Sequence, residues 1–491
     1  MQQAIAVTVM ILVSFGQVLA GADSTSPLDI GSRLELFVDD ALIESMDGVR
    51  LRLHTPQPAG IVMQHDKPWE GTTSAYHSVF QDGDIFRMYY RGSSHAGYTI
   101  KSLMKPGETP IPEHEQVACY AESPDGIHWT RPSLGLIEFE GSKDNNIVWI
   151  GNRAGGHNFA PFKDGNPDAP DSQRYKAVGS SNIGGKPVLL GFVSPDGIHW
   201  SKVRDEPIIT DGHFDSLNVA FWDSVRQRYS AIYRSGHEGV QSIKFSHSDN
   251  FVDWPPGTYA DYGDTPREQL YTNATAPYFR APHIYLAFPK RFVQWRTVHQ
   301  DVSGSGVSEG VFMSSRDGVH WDRRFMEAFV RPGRDPRSWV HRTNMIAAGV
   351  LPTAGDEISI YVARHYTSPS AHLERMVLRT DGFASASAGY GGGELLTKPL
   401  VFQGNNLVLN FATSAAGSIH LEIQDADGNP LPGFALEESP LIWGDEIEHT
   451  VRWERSHSRA TTDEPLRRIS GKPVRLRFVM KDADLFSLKF R

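Results

Sequence analysis

The chain has 491 residues, a formal net charge of −10, 11% aromatic residues, 45 glycines and 31 prolines. A chain of this length exceeds the usual size of one hydrophobic core, so two domains are expected. Its acidic balance without a basic stretch argues against a nucleic-acid partner. The Gly and Pro content favours short strands and turns over long helices.

The first predicted element is an uncharged apolar run at residues 4–20 (AIAVTVMILVSFGQVLA) that ends in small residues. This pattern is typical of a secretory signal, so residues 1–20 are predicted to be a signal peptide and the product to be secreted or periplasmic. No Lys or Arg precedes the run, and a membrane anchor is the alternative, although the run is short for a bilayer span. No membrane span is expected after signal cleavage.

A short turn motif then recurs along the chain. It reads SPDGIHW at 123–129 and again at 194–200, SRDGVHW at 315–321, SDNFVDW at 248–254, and TDGF at 380–383. Asp-Gly between apolar runs is a strong hairpin signal, because both residues tolerate the positive φ of tight turns. The repeat, one hairpin turn per copy, predicts five stacked four-stranded blades.

Short apolar runs around these turns supply the strands of each blade. We predict them at 74–81, 85–91, 117–122 and from Trp129 for blade one; 157–162, 175–180, 187–193 and from Trp200 for blade two; 218–223, 229–235 and 240–246 for blade three; 273–279, 283–289, 311–315 and from Trp321 for blade four; and 344–350, 358–365 and 373–380 for blade five. No sequence pattern predicts the fourth strand of blade five, and the entry strand at 33–44 could complete this blade. Cys119, the only cysteine, lies in an apolar run and is predicted to be buried.

A small-residue linker at 384–393 (ASASAGYGGG) precedes further period-two strands. The predicted fold is therefore all-β, with a five-bladed β-propeller at 30–385 and a C-terminal β-sandwich at 395–491.

In a propeller, residues just before the innermost strands converge at one end of a central funnel. Here these positions are strongly polar: Asp66 and Glu70, His157 and Asn158, Asp215 and Asn218, Glu268 and Asn273, Arg342 and Asn344. Carboxylates, amides and aromatics suit polyhydroxylated sugars, and carboxylates in a partly closed funnel would have their pKa values pushed apart.

The blade count, the acidic residues that lead blades one, three and four, and the appended sandwich resemble the glycoside hydrolase family 43 and family 32 superfamily. More narrowly, residues 65–71 (HDKPWEG), 214–222 (FDSLNVAFW) and 314–321 (SSRDGVHW) resemble a group of exported bacterial glycosidase-like proteins. The family 32 opening motif and its Glu-Cys motif are missing from this chain.

The family 43 resemblance implies a glycosidase that hydrolyses a polysaccharide or oligosaccharide with inversion. The general base falls on Asp66 or Glu70, the pKa-tuning residue on Asp215, and the general acid on Glu268, with Glu309 as its rival. Trp69 suits a sugar-stacking wall, and Asn158, Asn218 and Asn273 are further candidates for sugar binding.

Each candidate also has a structural interpretation. Asp215 could cap a turn, Glu268 could be a solvated loop charge, and Arg280 and Arg342 could be framework residues instead of binding an acidic sugar or a sulfate. His157 could hold a structural calcium or a water, but no cofactor or catalytic metal is predicted. The aspartates of the repeated turn are predicted to be structural.

Two rival functions remain. A non-catalytic carbohydrate-binding propeller would use the same funnel. A sialidase would need six blades, three clustered arginines and a tyrosine nucleophile, which the five predicted blades do not supply.

Overall fold

The computed structural model describes residues 26–301, 306–353, 355–453 and 465–491, so the predicted signal peptide lies outside the described residues. Within these ranges the chain is built of β-strands. The helical segments described are short 3-10 turns, at Ala96–Tyr98, Lys101–Leu103, Asn152–Ala154, Asp171–Gln173, Pro336–Ser338, Leu436–Glu438 and Pro465–Arg468. Over the same ranges, no helix has the length and apolar character needed to cross a membrane.

Five antiparallel sheets form the predicted propeller. Their strands, from the axis outward, are Ala75–Asp82, Ile85–Gly92, Val117–Ser123 and Ile147–Ile150 in blade one; His157–Lys163, Tyr175–Ile183, Lys186–Ser194 and Ser201–Lys202 in blade two; Val219–Asp223, Arg228–His237, Val240–Ser248 and Thr258–Tyr259 in blade three; Ala276–Tyr278, Ala281–Ala287, Met313–Ser315 and Trp321–Asp322 in blade four; and Met345–Ile346 with Leu351–Pro352, Glu357–Arg364, His372–Arg379 and Gln57–Gln64 in blade five. A separate ribbon pairs Lys290–Val293 with Val307–Gly310.

The fourth strand of blade five comes from the start of the chain. Gln57–Gln64 pairs antiparallel with His372–Arg379, and the innermost strands of blades one and five meet where Ser78 bridges Ala348. The ring is therefore closed by pairing between its first and last parts. The fourth strand of blade one also differs from the prediction, because Thr130, next to Trp129, forms only one bridge and Ile147–Ile150 completes the sheet.

The segment proposed as entry strand belongs to a second sheet. Glu35–Leu36 and Ile43–Asp47 pair with C-terminal strands, as do Leu28–Gly31 and Val49–Leu53, so residues 28–53 do not belong to the propeller predicted to begin at residue 30. The other six strands of this ten-stranded sheet are Ala384–Ala388, Gly393–Thr397, Leu400–Phe402, Leu407–Asp425, Asp445–Thr450 and Val474–Phe490. This second unit has its own hydrophobic core, separate from those of the blades.

The repeated aspartates are turn residues, as predicted. In the second copy, Oδ1 of Asp196 accepts hydrogen bonds from the backbone N–H groups of Ile198 and His199, both at 2.8 Å, and Nε1 of Trp200 donates to the Gly197 carbonyl at 2.9 Å. The 123–129 and 315–321 copies make the same bonds. Each motif thus fixes one hairpin and anchors its Trp.

Two variations of the motif, Arg316 in the 315–321 copy and Asp381 in the TDGF trace, join the propeller to the second unit. Arg316 replaces the proline of the first two copies and forms ion pairs with Glu35 and Asp39 of the second unit, both at 2.8 Å. Asp381, from the TDGF trace, is fully buried and accepts hydrogen bonds from Tyr278 of blade four and Ser487 of the second unit, both at 2.8 Å.

Candidate functional site

The axial opening, defined here as the end of the ring where the innermost strands begin, is surrounded by strained backbone. Tyr76, Asn158, Ala274 and Asn344 all adopt positive φ, of 60°, 53°, 44° and 58°. Such left-handed conformations are uncommon for residues other than glycine and are maintained by the surrounding structure. Four of the five blades therefore enter their innermost strand through a comparable left-handed residue.

Asp215 lies at this opening, four residues before Val219–Asp223. Its Oδ1 is 3.0 Å from Nε2 of His157, and its Oδ2 accepts a hydrogen bond from the Tyr271 hydroxyl at 2.9 Å. Nη1 of Arg234 donates to the Asp215 backbone carbonyl at 2.8 Å, which fixes the loop. Although both carboxylate oxygens have partners, 66% of the Asp215 side-chain surface is accessible.

The protein environment favours the ionised form of Asp215. The hydrogen bond with His157 is the largest influence and, with Tyr271 and Arg234, holds the pKa of this carboxyl well below its ordinary value despite the opposing effect of burial. Burial lowers the pKa of His157, and its Nε2 contacts the ionised carboxylate at 3.0 Å. Asp215 is thus an accessible, oriented proton acceptor.

The insertion at 92–116 borders the opening. Its last residue, Gln116, places Oε1 2.7 Å from Nδ1 of His157. Earlier in the insertion, the Tyr98 ring centroid lies 4.6 Å from the Arg342 guanidinium carbon, and the backbone N–H of Ile100 donates to the Thr367 carbonyl of blade five at 3.0 Å. The insertion therefore crosses from blade one to blade five beside Asp215.

Four cationic side chains stand around the same opening. Arg91 lies 4.5 Å from the Tyr76 ring centroid, Arg234 and Lys290 lie 4.6 Å and 4.0 Å from the Tyr271 ring centroid, and Arg342 stacks on Tyr98. Burial, helped by Arg342 and Arg234, lowers the pKa of Lys290 well below its ordinary value.

The three predicted asparagines are framework residues. Nδ2 of Asn158 donates to the Ser216 carbonyl, Nδ2 of Asn218 to the carbonyls of Phe214 and Ser216, and Nδ2 of Asn273 to the carbonyls of Leu217 and Ile232. All three side chains are buried. They hold neighbouring blades together instead of facing a ligand, so their prediction as sugar-binding residues is corrected.

The blade-one carboxylates do not reach Asp215. Glu70 is fully buried, accepts hydrogen bonds from the Tyr90 hydroxyl at 2.6 Å and from Nη1 of Arg131 at 2.8 Å, and burial raises its pKa. Asp66 is exposed, and its Oδ1 lies 3.1 Å from the same Arg131 nitrogen. Trp69 donates to Asn146 inside blade one and packs on Phe139.

Glu268 and Arg280 also lie away from Asp215. Glu268 forms ion pairs with Arg291 at 3.0 Å and Arg323 at 2.6 Å, and its rival Glu309 pairs with Arg291 at 2.6 Å. Arg280 binds Asp381 and Glu448 at the junction with the second unit. The predicted convergence of three carboxylates is therefore not observed.

Of the predicted site residues, the opening contains Asp215, His157 and Arg342, and the sequence analysis missed Tyr76, Tyr271 and the other three cations. A sequence pattern could have indicated these basic residues. Arg91 and Arg234 stand near the ends of the second strands of their blades, Arg364 ends the second strand of blade five, and Lys290 follows that of blade four. The end of a second strand lies beside the start of the innermost strand, because these strands are antiparallel.

Over the described ranges, no group of three or more His, Cys, Asp and Glu side chains is arranged to hold a metal ion. His157 uses its two ring nitrogens on Asp215 and Gln116.

No family model and no curated protein matches the chain. Solved structures with a similar fold include a beta-1,2-mannobiose phosphorylase from Listeria innocua (10% identity, TM-score 0.45, 66% of this chain and 95% of that chain). An N-acetylgalactosamine deacetylase from F. plautii has 12% identity and a TM-score of 0.42, over 68% and 97% of the two chains. A glycosyl hydrolase from Bacteroides ovatus has 14% identity and a TM-score of 0.38, over 71% and 93%.

Proposed function

We propose that the protein is a carbohydrate-active enzyme that cleaves a glycosidic bond at the axial opening, with Asp215 as the proton-accepting carboxylate. The observation that carries this proposal is the accessible Asp215 carboxylate, held between Nε2 of His157 and the Tyr271 hydroxyl. The amide of Gln116 and the half-buried Arg234 and Arg342 around it offer hydrogen-bonding groups that suit a polyhydroxylated ligand.

In this proposal, the ionised carboxylate accepts a proton from a water molecule that attacks the anomeric carbon, the bond from that carbon to the leaving oxygen breaks, and the leaving oxygen takes a proton from solvent. His157 and Tyr271 aim the carboxylate, and they keep it ionised at neutral pH because both stabilise its charged form. A positioned base of this kind contributes about 10²–10⁴-fold to a rate.

This assignment moves the base from Asp66 or Glu70 to Asp215. An inverting hydrolase with paired carboxylates needs an acid and a base separated by about 6.5–9.5 Å, with room for a water between them. We assign no acid role to Glu268, because two guanidinium groups occupy its carboxylate.

The test is release of sugar from a panel of polysaccharides and oligosaccharides by the wild type and by Asp215→Asn, Glu70→Gln and Glu268→Gln. We expect Asp215→Asn to lower turnover about 10²–10⁴-fold, and the other two variants, once shown to be folded, to stay within tenfold of wild type. Full activity in Asp215→Asn would contradict the proposal.

The alternative is a non-catalytic carbohydrate-binding propeller. It is favoured by the same hydrogen-bonding groups around Asp215, which need no chemistry to hold a sugar. The wild type would then bind an oligosaccharide without turning over any member of the panel, and Asp215→Asn would bind it as well.

We further propose that the mature chain is secreted or periplasmic and that the second unit is the accessory β-sandwich expected from the sequence. N-terminal sequencing of protein recovered outside the cytoplasm tests the first proposal, with Gly21 expected as the first residue. An experimental structure of the ten-strand unit tests the second.

A further inference from the structure

The cations at the axial opening lack acidic partners. Arg91 donates only to neutral groups, the Asn158 amide oxygen, the Thr73 carbonyl and the Tyr366 hydroxyl, at 3.1, 2.7 and 3.0 Å. Over the described ranges, none of Arg91, Arg234, Lys290 and Arg342 has a carboxylate within ion-pair distance, although many other arginines of the chain do.

The burial of Lys290 makes this group of basic side chains energetically unfavourable. Its side chain is fully buried, its Nζ has no hydrogen-bond partner, and Nζ lies 4.0 Å from the Tyr271 ring centroid. A buried ammonium group without a counter-charge is unfavourable. Three arginines placed near it raise that cost further, because like charges repel.

The four basic side chains at the opening differ in exposure. Arg342 and Arg234 are half-buried, whereas Arg91 and Lys290 are buried. The guanidinium of Arg234 lies over Tyr271 and donates to the Asp215 carbonyl, so it is already engaged. The guanidinium of Arg342 stacks on the Tyr98 ring, and its backbone is held in the left-handed region at φ 69°.

An acidic protein with a net charge of −10 thus gathers four basic side chains without an ion-pair partner at one opening. We propose that the axial opening binds a saccharide that carries an acidic group, a carboxylate or a sulfate ester, and that Arg342 contacts this group. Arg91 then adds positive potential, and the Asp215 carboxylate lies beside the bond to be cleaved. This inference rests on the proposed carbohydrate function and names its substrate class.

The test measures binding by calorimetry, independently of turnover. The probes are a galacturonate oligosaccharide, a sulfated galactose oligosaccharide, the uncharged galactose oligosaccharide of the same length, and inorganic phosphate. We expect at least one acidic oligosaccharide to bind more than tenfold tighter than the neutral one. Added salt should reduce this preference, because it screens charges.

Arg342→Gln is expected to abolish the preference for the acidic oligosaccharide, and Arg342→Lys to keep part of it, because the charge remains without the planar fork. Arg280→Gln, at the junction with the second unit, is the matched control and should leave the preference unchanged. Thermal unfolding establishes that each variant is folded. If Arg342→Gln does not fold, Arg342→Lys at low and high salt carries the test, with a reduced and salt-sensitive preference expected.

Equal binding of neutral and acidic oligosaccharides, or no binding of either, would overturn the inference. So would tight binding of inorganic phosphate alone, since the anion would then be a free ion. Acidic oligosaccharides that bind through Arg342 but are never cleaved would support the inference and reject the proposed enzymatic function.

Discussion

The contact between His157 and Asp215 sets the charge state of the site. The imidazole lies between Gln116, whose Oε1 is 2.7 Å from Nδ1, and Asp215, whose Oδ1 is 3.0 Å from Nε2. This contact orients the carboxylate and stabilises its ionised form.

We therefore predict that His157→Leu raises the pKa of Asp215 toward or above its ordinary value of about 3.9, because the largest influence holding it down is removed. The sign follows from the charged form: with fewer donors the carboxylate binds a proton at higher pH. The acid limb of a kcat/KM profile should move to higher pH, as should the NMR titration of the Asp215 carboxyl.

His157→Gln, which keeps an N–H donor, should give a smaller displacement of this limb. An unmoved titration in His157→Leu would show that His157 does not set this pKa. In the wild type, the depressed pKa also contributes folding stability that is fully present above about pH 3.9 and is lost as the pH falls through the folded-state value.

At the scale of elements, the repeated turn shows how few bonds define a blade. Asp196 supplies two backbone acceptor contacts and a third to the His199 ring at 2.7 Å. The 248–254 copy uses Asn250 in the same place, and its Oδ1 accepts from the N–H groups of Val252 and Asp253, both at 2.9 Å. An amide oxygen therefore replaces the carboxylate within this chain.

This comparison predicts that Asp196→Ala lowers the free energy of unfolding by about 1–2 kcal/mol, because two backbone N–H groups of the turn lose their acceptor. Asp196→Asn should retain most of that stability. Chemical denaturation of the two variants beside wild type measures the difference. Equal losses in both would mean that the carboxylate charge, and not the acceptor geometry, is what the turn needs.

Local signals explain what the sequence could predict. The turn motif is self-contained, so it revealed the blade count. The strand that completes blade five lies about 310 residues from its partner, at Gln57–Gln64 against His372–Arg379, and no local pattern links them. The same limit applies to the site: Asp215 lies four residues before its strand and contacts His157 of blade two, whereas Glu268 lies eight residues before Ala276–Tyr278 and pairs with Arg291 and Arg323.

On the scale of the whole molecule, the second unit is assembled from segments that lie before and after the propeller in the sequence. Strands from residues 28–53 complete the C-terminal sheet, and the chain then enters the propeller, returning at residue 384. Leu51 packs against both cores, and Asp381, Arg280 and Arg316 tie the units together.

We predict that a fragment of residues 26–383 aggregates, because strands 28–53 lose every partner in the second sheet and expose unpaired edges. A matched fragment of residues 54–383 keeps all the propeller strands and should be markedly more soluble. Size-exclusion chromatography and near-ultraviolet circular dichroism of both fragments measure this. Equal solubility would show that residues 28–53 are not held mainly by the second sheet.

The fourth strand of blade five, Gln57–Gln64, has a consequence for biosynthesis because it comes from the start of the chain. It leaves the ribosome long before its partner His372–Arg379 exists, so in a growing chain with four complete blades Gln57–Gln64 is still unpaired and the ring is still open. Contacts this distant in sequence form slowly, because a long loop must close first. We therefore expect the nascent protein to depend on chaperones until its final blade is translated, and to close the propeller ring only once His372–Arg379 has left the ribosome.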